Sequence, residues 1–292
     1  MDWLNGFAER VRRDEPLAGR LWYKLGGTAR YFFAPESVEE LQAVWRQARA
    51  AGVPVRVLGG GANTLVRDTG FDGLVLRLDA PAFTAVRWDG PRVVAGAGVD
   101  LLQLTRDSVQ AGLSGLEALA GVPGTVGGAT VMNAGGKFGE FADVVESATL
   151  LDETGAIIEL SRDQLGFGYR RSAVGGRVVL AVTLRLVPAA VDVVRERFQE
   201  IWRIKTATQP FAAHSAGCVF RNPPQEPAGK LIDRLGLKGT RCGQARVSER
   251  HGNFIVADDG ARAEDVLTLA EQVRATVRQR TGIALELEID VW

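Results

Sequence analysis

The sequence predicts an α+β protein built from more than one module. Three observations carry this: a helix signal set between two strand signals near the start, a strand-rich middle, and a change to helical patterns after Pro188. The 292 residues give room for two or three modules, and 46% hydrophobic with 24% charged residues is the composition of a globular chain with a sizeable core.

Residues 1–13 read as an amphipathic helix with Trp3, Leu4, Phe7 and Val11 on one face, lacking the uninterrupted apolar core of a signal peptide. Ser37 is an N-cap with Glu40 three residues on as its capping-box partner, so a helix should run to about Ala51 and stop at Gly52. Residues 55–58 form a short buried strand leading into Gly59, and 73–78 form another, which makes a β-α-β opening. Strand patterns follow at 84–88, 92–95, 148–152, 156–160 and 178–187, with Glu153-Thr154-Gly155 as a hairpin turn. A helix over 100–111, capped by Asp100 and closed by Gly112, interrupts them. Beyond a boundary near Ala189 come helices at 191–207, 228–235 and 263–281, a strand at 254–257 and a final strand at 284–291. There is no internal repeat or low-complexity segment.

Thirty-five basic residues balance thirty-five acidic ones, so no global field draws the chain to nucleic acid or an anionic membrane. No apolar run approaches the ~20 residues of a membrane span. Two distant cysteines make no disulfide framework, and no Cys/His spacing suggests zinc, so no metal is expected and a reducing cytoplasm is the expected compartment.

Gly59-Gly60-Gly61-Ala62-Asn63 follows directly on a strand, where backbone amides converge on a phosphate without side chains in the way. Three glycines and an asparagine exceed what one tight turn requires. The run is not a Rossmann fingerprint, and in Gly96-Ala97-Gly98 the third glycine is replaced by Leu101. Gly121-Val122-Pro123-Gly124-Thr125-Val126-Gly127-Gly128 alone is turn chemistry. A dinucleotide, however, needs one loop for its pyrophosphate and another for its rings. Cys218 is presented by small residues beside the turn Arg221-Asn222-Pro223, as a proton donor would be, although a lone cysteine is more often a packed small residue. Cys242 has no such frame, and His214 and His251 read as solvated or core histidines. Arg170 and Arg171 follow Tyr169 and suit a carboxylate or phosphate, though such pairs are usually solvated. Glu286 and Glu288 share one face of an alternating strand, ordinarily a wet one.

The order of these pieces resembles the UDP-N-acetylenolpyruvoylglucosamine reductases. Leu25-Gly26-Gly27-Thr28-Ala29, residues 58–66 and 121–129, Met132-Asn133-Ala134-Gly135 and Gly168-Tyr169-Arg170 carry the likeness in the first part of the chain. Residues 215–223, Ala228-Gly229-Lys230-Leu231-Ile232, His251-Gly252-Asn253-Phe254 and residues 285–289 carry it in the second, so nearly the whole chain is covered. The resemblance implies an FAD-binding fold of the vanillyl-alcohol-oxidase (PCMH) type over residues 1–189, with subdomains of about 1–78 and 79–189. A smaller α+β substrate domain over 190–283 and a final strand, 284–292, bearing the catalytic glutamate would follow. It implies non-covalent FAD held by Gly59, Gly60, Gly61, Ala62, Asn63 and Thr64 and by Gly121, Val122, Pro123, Gly124, Thr125, Gly127 and Gly128. NADPH would be the hydride donor, and the product a precursor of peptidoglycan.

By the same resemblance Arg170 matches the carboxylate-polarising arginine and Glu288 its glutamate partner, chosen over Glu286 because the family acid directly precedes the branched aliphatic residue, here Ile289. Cys218 stands where the family usually has a serine proton donor. A thiol, with a reference pKa of ~8.5, is the stronger acid and, unlike serine, is open to oxidation. Asn133, Tyr169, Arg221, Asn222 and Lys230 are the expected substrate contacts. The short span from Arg170 to Cys218 fits the shorter subclass, and the family's usual tail after the final strand is absent. A monomer without membrane or nucleic-acid partners is expected. The alternatives are another FAD-dependent oxidoreductase of this fold or a catalytically silent FAD-binding module.

Overall fold

A computed structural model describes residues 3–292. The chain packs as two compact units. The first takes the chain up to Arg13, then Tyr31–Gly60 and Gly73–Ile204; the second takes Asp14–Arg30, Gly61–Asp72 and Lys205–Trp292.

In the first unit the strand-rich middle forms a five-stranded antiparallel sheet in the order Ile157–Ser161, Val145–Leu151, Val178–Arg185, Arg92–Gly96, Val86–Asp89. The central strand, Val-Val-Leu-Ala-Val-Thr-Leu-Arg, is apolar on both faces and buried on both, whereas the edge strand Ile157–Ser161 alternates exposed with half-buried positions. Its hairpin is closed by Asp152, whose carboxylate accepts from the Thr154 hydroxyl and from the Thr154 and Ala156 amides. Those bonds, the Thr154 hydroxyl foremost, hold that carboxyl below its ordinary pKa.

Helix α1 (Val38–Ala50) begins as expected, with Ser37 Oγ accepting from the Glu40 amide. Glu40 reaches back one residue further than a capping box requires, to the Glu36 amide, and pairs with Arg10. Leu41, Val44, Trp45 and Ala48 form its buried stripe. The strand after it, Val55–Val57, pairs in parallel with Phe71–Leu76 but is not buried as expected: it is the end strand of its sheet, and only Leu58 beyond it goes fully inside. The expected helix over residues 1–13 is also corrected. Gly6, at φ +80°, breaks it into turns, and Arg12–Pro16 is already strand. Its apolar face still packs: Leu4 and Val11 are buried, and Trp3 and Phe7 meet Tyr31 and Phe33 edge-on. Met1 and Asp2 of that expectation lie outside the described residues.

Helices α2 (Pro81–Thr84), α3 (Leu101–Gln110) and α4 (Val126–Met132) follow, and α4 packs against the central strand. Asp100 caps α3 through the Gln103 amide, and Gly112 follows its end at φ +67°. Next come α5 (Val191–Thr208), α6 (Ala228–Arg234) and α7 (Ala263–Thr281). Helix α7 has the expected bounds, ended by Gly282 at φ +73°, and packs on the antiparallel strands Arg241–Cys242, Ala245–Val247 and Ile255–Ala257 of the second unit.

Helix α5 begins in the first unit, and the two compact units part between Ile204 and Lys205. Residues 14–30 and 61–72 join the C-terminal part through Tyr23, whose hydroxyl donates to the Ile255 carbonyl, and through Thr64–Leu65, which pairs with Asp290–Val291; they also meet each other, a Cβ on Gly27 standing 2.5 Å from the Asp68 carbonyl oxygen. The final segment differs from one strand over 284–291. Its backbone bonds first to Val219 and Arg221, then to Asn63 and Leu65, and only Asp290–Val291 is regular, parallel to Thr64–Leu65. Changing partners midway interrupts the ladder. Among the described residues no helix is long and apolar enough to cross a membrane.

Candidate active site

The two glycine loops meet. A Cβ on Gly60 would lie 2.7 Å from Gly124 Cα, and one on Gly59 would lie 2.8 Å from Thr125 Oγ1, so neither position tolerates a side chain. Gly124, at φ +120°, turns its missing side chain toward open space. What these loops offer is main chain, which fits a pyrophosphate-bearing cofactor. Thr125 is also an N-cap, its hydroxyl accepting from the Gly128 amide, so residues 126–128 open α4 rather than continue a loop. Gly127 packs that helix on the Gly96-Ala97-Gly98 turn, its amide donating to the Ala97 carbonyl.

The rest of the first glycine run serves the second unit. Gly61, at φ +67°, closes on the Arg20 and Leu21 backbone. Asn63 donates through Nδ2 to the Glu288 carbonyl at 3.2 Å and accepts from the Asp290 amide at 2.8 Å. Thr64 is buried and pairs with Asp290.

Arg170 sits in a left-handed backbone position, φ +54°, as does Asn133 at φ +42°. Each costs on the order of 1–2 kcal/mol for a residue other than glycine. Arg170 Nη2 donates to the Gly135 carbonyl at 2.7 Å, Nη1 to the Asn133 carbonyl at 3.5 Å, and the guanidinium lies 5.1 Å from the Tyr169 ring centre. Tyr169 is 42% exposed. Asn133, expected to touch substrate, has another role. It is 1% exposed; Nδ2 donates to Glu140 and to the Gly168 carbonyl, and Oδ1 accepts from the Ala142 amide. Both its donors are engaged in shaping the turn that carries Arg170.

Cys218 and Glu288 are neighbours in the second unit, on extended segments joined where the Glu288 amide donates to the Val219 carbonyl at 2.8 Å. Gly217, at φ +74°, turns the chain into Cys218. Asn253 grips the two residues after the thiol: its carbonyl accepts from the Val219 amide, its Oδ1 from the Phe220 amide, and its Nδ2 donates to the Phe220 carbonyl at 2.7 Å. Sequence reasoning missed this residue, whose one signal was the His251-Gly252-Asn253-Phe254 motif. Cys218 and Glu288 are half-buried and Glu286 is exposed.

The Arg221 amide donates to the Glu286 carbonyl, and its side-chain Nε is buried with no hydrogen-bond partner among the described residues. Asn222 Oδ1 accepts from the Ala228 amide at 3.0 Å and so supplies α6 with the cap that Pro227 lacks. Lys230 is exposed on α6. Cys242 packs against the second core. His251 is half-buried: Nδ1 accepts from the Asn253 amide, the ring meets Phe254 edge-on, and burial, then the charge of Lys238, holds its pKa below the ordinary value. His214 is solvated, its carbonyl accepting from the Ala257 amide.

A family described as UDP-N-acetylenolpyruvoylglucosamine reductase, C-terminal domain, matches residues 209–292, and one described as FAD binding domain matches residues 29–161. UDP-N-acetylenolpyruvoylglucosamine reductase 2 of Symbiobacterium thermophilum is 41% identical over 285 residues, covering 97% of this chain and 92% of the relative. The chain belongs to the UDP-N-acetylenolpyruvoylglucosamine reductase family. The reductase of Anaeromyxobacter dehalogenans is 42% identical over 99% of this chain and 89% of its own. The crystal structure of the Thermus caldophilus reductase superposes with a TM-score of 0.84 at 41% identity, covering 97% of this chain and 99% of that one. A grass pollen allergen with glucose dehydrogenase activity, Phl p 4, shares the fold alone, at 19% identity and a TM-score of 0.51 over 65% of this chain and 45% of its own. Fold and family together make the chain an FAD-dependent reductase that uses NADPH, with the vanillyl-alcohol-oxidase type of FAD-binding fold.

Proposed function

We propose that Arg170, Cys218 and Glu288 carry the family reaction here, the NADPH-dependent reduction of UDP-N-acetylenolpyruvoylglucosamine to UDP-N-acetylmuramate in peptidoglycan precursor synthesis. When bound, FAD would supply the hydride chemistry that links NADPH to the terminal vinyl carbon of the substrate. The main chain of Gly59, Gly60, Gly124 and Thr125 would hold its pyrophosphate, with Gly61, Ala62, Asn63, Thr64, Gly121, Val122, Pro123, Gly127 and Gly128 completing the two loops. Arg170 binds the enolpyruvyl carboxylate and stabilises the negative charge that spreads into it from the adjoining carbon as hydride arrives at the terminal vinyl carbon. The two carbonyls that already take Nη1 and Nη2 donors fix the direction of its fork. Glu288 is the arginine's acidic partner. Cys218 gives its thiol proton to the carbon next to the carboxylate, closing the new C–H bond, and the thiolate is reprotonated from water.

The observation that carries this reading is the hydrogen bond from the Glu288 amide to the Val219 carbonyl, which joins the segment bearing an acid residue to the segment bearing the thiol. Tyr169, Arg221, Asn222 and Lys230 serve as substrate contacts, the buried Nε of Arg221 being a donor suited to a substrate oxygen. In this reading the FAD region is 1–189, the substrate domain 190–283, and 284–292 delivers Glu288. The enzyme works as a cytoplasmic monomer with no membrane or nucleic-acid partner.

Anaerobic stopped-flow tests it. NADPH should bleach the flavin and the enolpyruvyl sugar nucleotide should restore its colour, after which acid precipitation should release all the flavin as free FAD. Flavin that NADPH bleaches but only oxygen or another acceptor restores would favour a different oxidoreductase of this fold. Flavin that NADPH leaves unbleached would mark a silent binding module.

A further inference from the structure

We propose that Arg77 is a positioning residue for the flavin: from behind the first glycine loop it takes the Gly59 carbonyl and so turns the Gly60 amide toward the cofactor's pyrophosphate. The inference rests on the reading above that the two glycine loops hold that pyrophosphate. Arg77, Gly59, Gly60, Gly124 and Thr125 all belong to the first unit.

Strand Val55–Val57 runs parallel to Phe71–Leu76, and their ladder closes with the bond from the Leu58 amide to the Leu76 carbonyl at 2.9 Å. Beyond it the main chain leaves the sheet at Gly59, which has no side chain with which to fix its own peptide plane. Arg77, the first residue after the neighbouring strand, does this instead: its Nη1 donates to the Gly59 carbonyl. The base of that arm is fixed, because the Arg77 amide donates to the Phe33 carbonyl at 3.0 Å. The side chain is half-buried, with Nε 3.6 Å from Asp79 Oδ2.

A trans peptide points its C=O and N–H in opposite directions, and the described residues contain no cis bond. Holding the Gly59 carbonyl at Arg77 therefore sends the Gly60 N–H away from Arg77. That N–H finds no acceptor among the described residues, and neither do the amides of Gly124 and Thr125 in the loop that Gly60 touches. Unpaired N–H groups on two loops in contact are what an anion takes. The guanidinium adds charge to direction. With an anion bound, the 59–60 peptide lies between a cation at its carbonyl and the anion at its amide, and each polarises it in the same sense. An arginine anchored in a sheet holds this arrangement in advance, so binding has less of the loop left to order.

The test is Arg77→Met in the full chain, with flavin removed and the protein titrated with FAD and, separately, with riboflavin, which carries the ring but no phosphate. Flavin fluorescence reads both. The dissociation constant for FAD should rise by roughly tenfold to a hundredfold, the scale of one hydrogen bond to a charged group, while that for riboflavin stays at its wild-type value. General damage to the fold would weaken both ligands alike. An FAD-to-riboflavin preference equal to that of wild type therefore overturns the inference and leaves the loops' own assignment standing. Wild-type protein that binds riboflavin as tightly as FAD sinks the pyrophosphate reading of the loops instead, and the inference with it. If Arg77→Met does not fold, Arg77→Gln decides, being uncharged and too short to reach the carbonyl: a reduced preference for FAD supports the role, and a wild-type preference removes it.

Discussion

The turn bearing Arg170 and the segment bearing Cys218 are built by opposite means. Arg170 stands on two left-handed residues, Asn133 and itself, braced by carbonyls and amides within 37 positions of each other along the chain. Cys218 lies beside irregular backbone whose partners come from Asn253 and from residues 286–288. One site relies on conformational strain; the other relies on long-range pairing. Strained turns fail locally when a brace is lost, whereas cross-chain pairing transmits damage to every segment it joins.

Substitutions break or sharpen this contrast. The largest effect should come from Arg170→Lys, which keeps the charge but loses the fork; kcat should fall by about a hundredfold or more with flavin content unchanged. Unaltered turnover would take Arg170 out of the site. Cys218→Ala should come next, stalling the sugar-nucleotide half-reaction while NADPH still reduces the flavin, and Cys218→Ser should recover much of the lost rate in stopped-flow traces. Asn253→Ala, which strands the Phe220 amide and carbonyl, should cost about 2–3 kcal/mol in urea unfolding and slow the same half-reaction. Its counterpart Asn133→Gly keeps the left-handed backbone and loses only the amide, so its damage should be confined to the Arg170 turn, with thiol alkylation rates unaffected. Gly60→Ala should lower flavin occupancy, measured by absorbance ratio, because its Cβ would press on Gly124.

The smallest effect is a pH dependence. Because His251 has its pKa lowered by burial in the folded state, the unfolded chain takes up the proton first. Its contribution is complete above about pH 6.5 and is lost as pH falls through the folded-state pKa. His251→Gln should therefore narrow the stability loss between neutral and mildly acid pH seen in thermal melts. Parallel curves for the two proteins would show that the imidazole is not kept neutral by the fold.

Much of this was legible in the sequence where a local rule decides the outcome. Ser37, Asp100 and Gly282 bound their helices where capping chemistry predicts. The central strand was legible as an apolar run too long for one wet face. The misses came where distant packing overrides pattern. Gly6 cancels a helix that the spacing of Trp3, Phe7 and Val11 favours. Thr125 caps a helix that a run of glycines disguises. The grouping of residues 14–30 with the second unit leaves no periodic trace. At the site, the family resemblance pointed to Arg170, Cys218 and Glu288, but the tasks of Asn133 and Asn63 depended on partners 35 and 225 positions away.

The grip on the Cys218 segment has one more consequence. Asn253, Asn63 and the Glu288 amide all take hold of peptide groups at Val219, Phe220 and Glu288, and none of these bonds refers to which atom residue 218 carries. The scaffold specifies an address and leaves the reagent open. A sulfur or an oxygen could thus be presented at residue 218 without altering any of these bonds.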